Sequence, residues 1–306
     1  MRSFAVQAMA AFALLAGFGS SHAIGQDEAW RVQQEQWRTQ HAAELSAADG
    51  WLTVVGFEWL KPGDNSIGAA PDNSIHLQGS GSAHIGIIHV GASGLELKAP
   101  ADGFPAELRV DGQPAHEQSI VVDNRTPTKL TAGTLTLFVI RRGDGNALRI
   151  KDSQAPARLN FKGLQWYPLD PSYRIEAEWV PYPEPKPTHI VTVIGTTENG
   201  IVTGVAKFTL GGQQVELQSV VQSLDAKNLL FVIRDATSGK TTYAASRFLH
   251  TSLPDHGLLK PGKILLDFNR LENPPCAFTA YATCPLPPES NRLKVAILAG
   301  ELRFDH

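Results

Sequence analysis

The stretch IVTGVAKFTLGGQQVELQSV, residues 201–220, decides the fold class of this chain. Apolar and polar residues alternate on both sides of Gly211-Gly212, which is the pattern of two half-buried strands joined by a tight turn. A two-residue hairpin turn needs positive φ angles, and glycine adopts them at little cost. Four neighbouring runs have a similar strand-like character: THIVTVIG (188–195), NLLFVIRD (228–235), TTYAASRFL (241–249) and GKILLDFN (262–269). The pattern predicts an antiparallel β-barrel or sandwich domain over residues 161–306.

The preceding residues predict a second β domain over residues 51–160. Short runs with strand character are separated by glycine-rich turns, and Asp111-Gly112 is a further hairpin signal. The clearest of these runs are Ser74–Leu77, Ile85–Val90, Leu95–Lys98 and Leu135–Ile140. Many short strands at close spacing are typical of a sandwich. The expected fold class is therefore all-β, with two antiparallel sandwich or barrel domains. Between them, Pro181–Pro187 is expected to be a stiff extended crossing.

One helix is expected in front of the strands, over residues 24–50. Asp27 is a candidate N-cap, and Ala48-Asp49-Gly50 is expected to end the helix. Four residues recur at helical spacing on one face: Trp30, Gln34, Trp37 and His41. Because tryptophan combines a large apolar ring with one hydrogen-bond donor, this face is expected to anchor the short helix to a β domain.

The first 23 residues, MRSFAVQAMAAFALLAGFGSSHA, have the pattern of a signal peptide. Arg2 supplies the positive start, an apolar run extends from Phe4 to Phe18, and Ser21-His22-Ala23 offers the small residues of a cleavage site. We therefore expect cleavage after Ala23 and a soluble periplasmic or secreted protein. No later run approaches the ~20 apolar residues that a membrane-spanning helix requires, so no membrane span is predicted.

Charge and motifs narrow the classes of function. The formal net charge of the chain is −3, with no basic stripe or charge block, which argues against a nucleic-acid partner. The sequence contains no G-x-S-x-G elbow, no H-E-x-x-H pair, no phosphate loop and no dinucleotide fingerprint. We therefore predict no cofactor and no metal. The expected partner is a small molecule or another protein of the cell envelope.

The order of features in the first predicted β domain resembles that of a forkhead-associated domain. The segments NSIG (65–68) and NSIHL (73–77) are followed by a histidine-bearing strand, a VDG turn and a glycine before the last long strand. That family reads phosphothreonine with an arginine near the first glycine and a serine before the histidine strand. Here no arginine stands beside Gly68, although Ser82 precedes His84 by two residues. The resemblance implies a degenerate, structural version of the domain.

Several blocks are similar to the domain of unknown function 1684 family. They are GWLTVVGFEWLKPGDNSIG (50–68), FKGLQWYPLDPSYRIEAEW (161–179), TYAASRFL (242–249) and LDFNRLENPPCAFTAYATCPLPPESNRLKVAILAGE (266–301). The likeness extends over essentially all of the chain after the signal peptide. The resemblance carries no reaction and no catalytic residues, so candidate residues are weighed on their own chemistry.

The only two cysteines, Cys276 and Cys284, lie in the proline-rich segment NPPCAFTAYATCPLPP (273–288). In an exported protein they are a disulfide candidate that would close a small loop. Two buried reduced thiols are the alternative, and catalysis or metal binding is a third. A structural zinc site requires four ligands, and only two sulfurs are present. The segment is expected to be an ordered, mostly buried loop because its prolines restrict the unfolded chain.

Polar residues crowd around that segment and define the candidate site. Asp267 and Asn269 are expected on one face of a strand, where a carboxylate and an amide can orient a water molecule or hold a loop. We predict ligand binding by residues that share polar or aromatic character: Arg247, Asn269, Asn273, Tyr281, Glu289, Asn291, Trp166 and Tyr167. The alternative is a cofactor-free hydrolase-type enzyme that uses Asp267, His250 and Glu301 on a small envelope metabolite. Whether the protein is an enzyme stays open at this point.

Overall fold

The computed structural model describes residues 18–77, 81–123 and 126–304. Residues 1–17 of the predicted signal peptide lie outside the described residues. Helix α1 (Phe18–Leu45) is followed by turns up to Gly50. A Cβ atom on Gly50 would collide with the carbonyl oxygen of Leu45, which explains why glycine stands where the chain leaves the helix. The helix starts earlier than predicted. Asp27 is not its N-cap but lies inside it, where its carboxylate accepts a hydrogen bond from Arg31 Nε at 3.2 Å, one turn further on.

Two antiparallel sheets follow α1. Their strands are β1 (Val54–Trp59), β2 (Gly63–Gly68), β3 (Ile75–His76), β4 (Gly86–Gly91), β5 (Gly94–Lys98), β6 (Arg109–Val110), β7 (Gln113–Pro114), β8 (Gln118–Ile120), β9 (Leu130–Ala132), β10 (Leu135–Arg142) and β11 (Gly145–Asp152). One sheet has the order β1-β11-β10-β9-β6-β7 and the other β3-β2-β4-β5-β8. The pairing of β2 with β3 is parallel. Both sheets contribute apolar side chains, among them Ile88 and Leu137, to one buried core. The short helix α2 (Pro156–Leu159) comes next.

The third sheet is built from the following strands: β12 (Arg174–Val191), β13 (Thr197–Leu210), β14 (Gln213–Val221), β15 (Asn228–Ile233), β16 (Arg247–Ser252) and β17 (Gly262–Asp267). Their order is β16-β15-β14-β13-β12-β17, and the sheet curls into a half-barrel. Its core contains the fully buried rings of Trp179, Phe231 and Phe268. The indole of Trp179 also donates to the carbonyl of Leu258 at 3.0 Å. Burial of these large rings is the main stabilising contribution of this half of the chain.

Two hairpins follow the prediction from the sequence. Asp111 and Gly112 have φ angles of 50° and 82° between β6 and β7. Gly211 and Gly212 have φ angles of 57° and 76° between β13 and β14. The predicted all-β class with an N-terminal helix is confirmed. The boundaries at residues 50 and 160 stay a prediction.

Three local predictions are wrong. Pro181–Pro187 is extended, as predicted, but it is not a crossing between domains, because it lies inside β12. Pro183 and Pro185 are tolerated there because they lie where the pairing with β13 shifts its register, between Pro181 and Lys186, so these two positions need not donate to a regular ladder. Asn269 does not lie on a strand: β17 ends at Asp267, and Phe268–Arg270 form a single 3-10 turn. The strand predicted at residues 241–249 begins only at Arg247.

Candidate functional site

Helix α1 is attached to the end of strand β17 through Asp267. Trp30 Nε1 and Gln34 Nε2 donate to Asp267 Oδ2 at 2.8 and 3.1 Å. Arg270 Nε donates to Gln34 Oε1 at 2.9 Å. Trp30 and Gln34 are buried. The face predicted from helical spacing therefore does anchor the helix to the β structure, with a carboxylate as its receiving group.

The second oxygen of Asp267 is also used within the protein. Asp267 Oδ1 accepts hydrogen bonds from the backbone nitrogen and the amide of Asn269, at 3.2 and 2.9 Å. The same amide group donates to the carbonyl of Asp170, and its oxygen accepts from the nitrogen of Asp170. Asp267 and Asn269 thus direct their polar atoms at the chain itself, and they fix the turn that follows β17.

A cluster of two histidines and two glutamates lies beneath the second half of α1. His41 Nδ1 is 3.5 Å from Glu272 Oε2, and His41 Nε2 is 3.5 Å from Glu301 Oε2. His250 Nε2, on strand β16, is 3.5 Å from Glu272 Oε1. The side chain of Glu301 is fully buried, whereas that of His250 is 51% exposed. Glu272 therefore stands between a histidine that is 16% exposed and one that reaches solvent.

The protonation of His41 is controlled by this cluster. Burial favours the neutral ring, but the contact with Glu301 and the charges of Glu272, Glu301 and Glu44 outweigh it and raise the pKa of His41. His41 Nε2 has no hydrogen bond of good geometry to any described residue. The ring is therefore held by charge and stacking more than by a directed hydrogen bond.

Aromatic rings enclose the cluster on the helix side. The ring of Trp37 stacks on His41 with centroids 5.4 Å apart and an interplanar angle of 12°. Arg270 lies 5.5 Å from the centroid of Trp37, and Arg38 lies 4.8 Å from that of Trp166. Trp166 meets Trp37 edge-on at 5.4 Å. These contacts fix the orientation of His41 from the side opposite to the carboxylates.

A cavity of about 320 Å³ opens onto the cluster. Its lining consists of Trp37, Gln40, His41, Glu44, His250, Arg270 and Glu272. A cavity of about 490 Å³ shares His250 and Arg270 with it, and one of about 410 Å³ shares His41, Glu44 and Glu272. We call this series of adjoining cavities, centred on Glu272, the helix cleft. Volumes of this size accept small molecules.

Two other candidate residues support the cleft from inside. Asn273 donates from its backbone nitrogen and from its amide to the two carboxylate oxygens of Glu301, at 2.9 and 2.7 Å. Arg247 is fully buried and pairs with Asp235 at 2.8 Å. It also donates to the carbonyls of Ile297 and Ala299. Arg247 and Asn273 thus bind the C-terminal segment and do not line the cleft.

The remaining candidates lie elsewhere. Asn291 is buried and bonds to the backbone of Gln218 and Val232. Tyr281 is 42% exposed, outside the helix cleft. Glu289 borders a separate, mainly apolar cavity of about 370 Å³ that the prolines after Cys284 help to line. Tyr167 bonds through its hydroxyl to Thr241. Of the predicted residues, the structure brings His250, Glu301 and Trp166 together around His41, and Asp267 lies on the wall of the adjoining cavity.

The proline-rich segment is ordered and largely buried, as the sequence indicated. Cys276 lies in a 3-10 turn at Pro275–Ala277, and its nitrogen donates to the sulfur of Cys284 at 3.2 Å. The two thiols are free in this structure. Because the two residues lie close together, a disulfide between them stays a prediction.

Comparison with known proteins identifies the C-terminal half. The family model "Protein of unknown function (DUF1684)" matches residues 159–302. The solution NMR structure of an uncharacterized protein from Haloarcula marismortui is 33% identical. That match covers 47% of this chain and 78% of the other, with a TM-score of 0.41. The chain belongs to the DUF1684 family. A search of curated proteins gave no match.

The DUF1684 match includes the sheet side of the helix cleft but not its helix side. His250, Arg270, Glu272 and Glu301 lie inside the matched residues, whereas α1 lies before them. The block at residues 50–68, which resembled the family in the sequence, also lies outside the match. The cleft is therefore formed by a DUF1684 segment and by a helix that this match does not cover.

Sequence reasoning missed the centre of the cleft. Helical spacing predicts a packing role for His41 and Trp37, because spacing alone does not distinguish a packing face from a binding face. The sequence offers no signal for Arg270 and Glu272, although both follow closely after Asn269 in the family block at residues 266–301. The signal that would find them is the pairing of α1 with the end of β17, which joins residues more than 200 positions apart.

Two negative findings concern the described residues only. In the part of the chain that the structure describes, no group of three or more histidine, cysteine, aspartate or glutamate side chains is arranged to hold a metal ion. No helix among the described residues is long and apolar enough to cross a membrane.

Proposed function

We propose that this DUF1684 protein binds a small polar molecule in the helix cleft. The observation that carries the proposal is the convergence of both signs of charge on one cavity of about 320 Å³, with Glu272 between His41 and His250 and with Arg270 in the same lining. A surface that only packs a helix would use these groups in hydrogen bonds within the protein, as Asp267 and Asn269 do.

The lining defines the chemistry of the ligand. Glu272 and Glu44 accept hydrogen bonds or balance a cationic group, whereas Arg270 and a protonated His41 favour an acceptor or an anionic group. The faces of Trp37 are already engaged by His41 and Arg270, so this ring does not act as a free stacking platform. The expected ligand is a compact molecule that carries both hydrogen-bond donors and acceptors.

A screen of small polar metabolites by thermal shift, followed by calorimetry, tests the proposal. Compounds that stabilise the wild-type protein should bind at least about tenfold more weakly to Glu272→Gln and His250→Ala, since a lost charged hydrogen bond costs about 1.5–3 kcal/mol. His256→Ala is the matched control, because His256 is an exposed histidine that does not line the cleft. Equal affinity in His250→Ala, Glu272→Gln and the control would place the ligand elsewhere.

A hydrolase-type enzyme is the second candidate. The observation that favours it is the exposed ring of His250 beside the Glu272 carboxylate, since a histidine oriented by a carboxylate is a common general base. Of the three residues expected to act in catalysis, Asp267 is occupied by four internal hydrogen bonds and Glu301 is fully buried. The reaction would therefore depend on His250, with Glu272 as its orienting group.

Incubation of cleft ligands with the protein separates the two candidates. Mass spectrometry of each ligand after incubation should show conversion if the protein is an enzyme, and His250→Gln should abolish that conversion while leaving the thermal midpoint nearly unchanged. If every ligand bound and was recovered intact, the enzyme candidate would be contradicted and ligand binding would be the function that is supported.

We also propose that the chain is exported and acts in the periplasm or outside the cell. The support is the pattern of residues 1–23, with Arg2, the apolar run from Phe4 and the small residues at Ser21-His22-Ala23. Fractionation of expressing cells should find a chain beginning at Ile24 in the envelope-soluble fraction. A chain that keeps its first 23 residues in the cytoplasm would contradict export.

For the N-terminal β region we propose a degenerate forkhead-associated domain without phosphopeptide binding. Ser82 bonds to the carboxylate of Glu107, and His84 Nε2 lies 3.1 Å from both carboxylate oxygens of Asp72. These carboxylates would repel a phosphate group from the two residues that the resemblance singles out. A fluorescence polarisation assay with phosphothreonine peptides should give no more binding than with unphosphorylated ones. Selective binding of the phosphorylated peptides would reverse the proposal.

A further inference from the structure

The two cysteines lie in contact at the edge of the third sheet. The nitrogen of Cys276 donates to the sulfur of Cys284 at 3.2 Å, which places that sulfur against the side chain of Cys276. Cys284 is buried in an apolar cluster with Val232 and Phe248, and Cys276 packs against this cluster while staying partly exposed. Cys276 is therefore the partly exposed member of the pair, and the sulfur of the buried Cys284 lies against it.

A buried arginine that has no counter-ion among the described residues lies against Trp51, which borders the cysteine cluster. Arg149 on β11 is only 5% exposed, and its Nε and Nη2 atoms have no hydrogen-bond partner in the described part of the chain. Its guanidinium lies 5.1 Å from the ring centroid of Trp51, which also packs against the cysteine cluster. An unpaired buried charge is costly, so such a group calls for an anion nearby.

Cys284 is a thiol that interacts electrostatically with Arg149. Burial, and then the charge of Arg142, lower the pKa of Arg149 to about 10, while Cys284 acts in the opposite direction. The hydrogen bond with Cys276, together with burial, raises the pKa of Cys284, and Arg149 opposes that rise. The hydrogen bond from Cys284 lowers the pKa of Cys276. The Cys276 thiol thus loses its proton before that of Cys284, and Arg149 offsets part of the rise in the pKa of Cys284.

We propose that Cys276 and Cys284 are a redox-active pair that exchanges with disulfides, with Arg149 stabilising the buried thiolate that closes the ring. The Cys276 thiolate attacks one sulfur of a disulfide RSSR, forms a Cys276–SR mixed disulfide and releases RS⁻. Cys284 then loses its proton, attacks the Cys276 sulfur and expels the second RS⁻. Each RS⁻ takes up a proton, so RSSR is reduced by two electrons to two RSH while the dithiol becomes a disulfide.

We expect the disulfide between Cys276 and Cys284 to be reversible, unlike a structural disulfide. A disulfide is neutral and leaves Arg149 without a counter-charge, whereas the reduced pair can supply a thiolate. Stabilisation of the reduced form makes a disulfide easier to reduce. Oxidised protein should therefore return to the dithiol in an excess of reduced glutathione.

Oxidised glutathione and the purified full chain test the order of the steps. Acid-quenched samples analysed by intact mass should show the wild type losing two hydrogens, Cys284→Ser stopping at one glutathione adduct, and Cys276→Ser reacting at least about tenfold more slowly than Cys284→Ser, since a buried thiol of raised pKa is a poor nucleophile. A wild type that forms no internal disulfide, or one that excess reduced glutathione does not reopen, would overturn the proposal. Equal reactivity of the two single variants would do the same.

The role of Arg149 has its own test. Arg149→Met should accumulate the mixed disulfide on Cys276, with ring closure slowed about tenfold for each unit by which the pKa of Cys284 rises. The delay should shrink as the pH is raised, because Cys284 then ionises without help. Tyr243, Arg142 and Lys151 also lie near the pair or Arg149, so they are kept unchanged.

Two control variants distinguish a loss of charge at Arg149 from a folding defect. Arg149→Lys keeps the positive charge and should restore most of the closure rate, and Arg141→Met changes an exposed arginine of the neighbouring strand and should behave as wild type. Closure at the wild-type rate in Arg149→Met would show that Arg149 has no part in the chemistry. Failure of Arg149→Lys to restore closure, with its fold intact by circular dichroism, would count equally against it.

Discussion

His41 shows how a single residue can link the helix cleft to the stability of the protein. Its ring lies between Glu272 and Glu301 on one side and Trp37 on the other, and its pKa in the folded protein is above the ordinary value of 6.5. A group that holds its proton more tightly when folded stabilises the folded state in its protonated form. This contribution is complete below a pH of about 6.5 and is lost as the pH rises through the folded pKa.

The first prediction concerns His41→Gln. Because glutamine stays neutral, the variant should be less stable than wild type by about 1 kcal/mol at pH 5.5–6, with a smaller difference at pH 8.5. Urea unfolding at both pH values measures the difference. His256→Gln, at an exposed position, is the control. A difference that does not change between the two pH values would mean that His41 is held by packing and not by charge.

Arg247 is the residue for which the function expected from sequence and the observed contacts differ most. The sequence predicts ligand binding by Arg247, but this residue is fully buried and donates to Asp235 and to the carbonyls of Ile297 and Ala299. Its contacts attach the C-terminal segment to the sheet. From sequence alone, an arginine after a run such as TTYAAS cannot be distinguished from a surface cation, because its partner Asp235 is supplied by another part of the chain.

The second prediction is that Arg247→Met destabilises the protein strongly. The change leaves the charge of Asp235 buried without its partner, which costs about 3–5 kcal/mol. Arg292→Met, at an exposed arginine near the same segment, should cost less than about 1 kcal/mol. Both values come from urea denaturation at neutral pH. Similar losses in the two variants would show that the buried pair contributes little beyond an ordinary surface charge.

At the level of elements, the strands were predictable and their partners were not. Alternation over residues 201–220 and the glycine pair at 211–212 gave β13, β14 and their turn, because both signals are local. The proline run inside β12 misled the prediction, since a register shift in the ladder is a property of two strands. The helix cleft escaped prediction for the same reason: α1 and the end of β17 are joined only by tertiary packing.

The third prediction concerns Gly300, where the C-terminal segment crosses the turn after β17. Its φ angle is +82°, and a Cβ atom would lie 2.6 Å from both the Cβ and the carbonyl oxygen of Leu271. Gly163 has a φ angle of +97° with nothing within 4 Å of a Cβ atom, so it is a matched control. Gly163→Ala should cost about 1–2 kcal/mol from backbone strain alone, and Gly300→Ala about 1–3 kcal/mol more from the added contact.

Thermal and urea unfolding of both glycine variants measure that difference. Gly300 precedes Glu301, whose nitrogen donates to the carbonyl of Leu271 at 2.7 Å. A shift of this crossing would therefore also move Glu301 away from His41, and cleft ligands should bind more weakly to Gly300→Ala than to Gly163→Ala. Equal stability of the two variants would mean that the segment adjusts to a side chain without loss.

For the molecule as a whole, the role of α1 is the main question, because it lies outside the DUF1684 match but closes the site. Trp30 and Gln34 bond to Asp267, Arg38 covers Trp166, and His41 faces Glu272. These contacts all begin after residue 27. Cleavage after Ala23, which we propose, would leave each of them in place.

The last prediction follows from this arrangement. A chain that begins at Ser46 loses Trp30 and Gln34, which donate to Asp267, and His41, which lies beside Glu301. It also exposes the apolar surface against which Trp30, only 6% exposed, is packed. Loss of one buried aromatic ring and of two hydrogen bonds to a carboxylate should cost about 3 kcal/mol or more. A chain that begins at Asp27 is the control and should unfold as the full chain does. Urea unfolding followed by circular dichroism compares the full chain, the chain from Asp27 and the chain from Ser46. Calorimetry with a cleft ligand should show binding by the full chain and by the chain from Asp27, but not by the chain from Ser46. If the chain from Ser46 were as stable as the control and bound the same ligand, α1 would be dispensable and the helix cleft would not be the functional site.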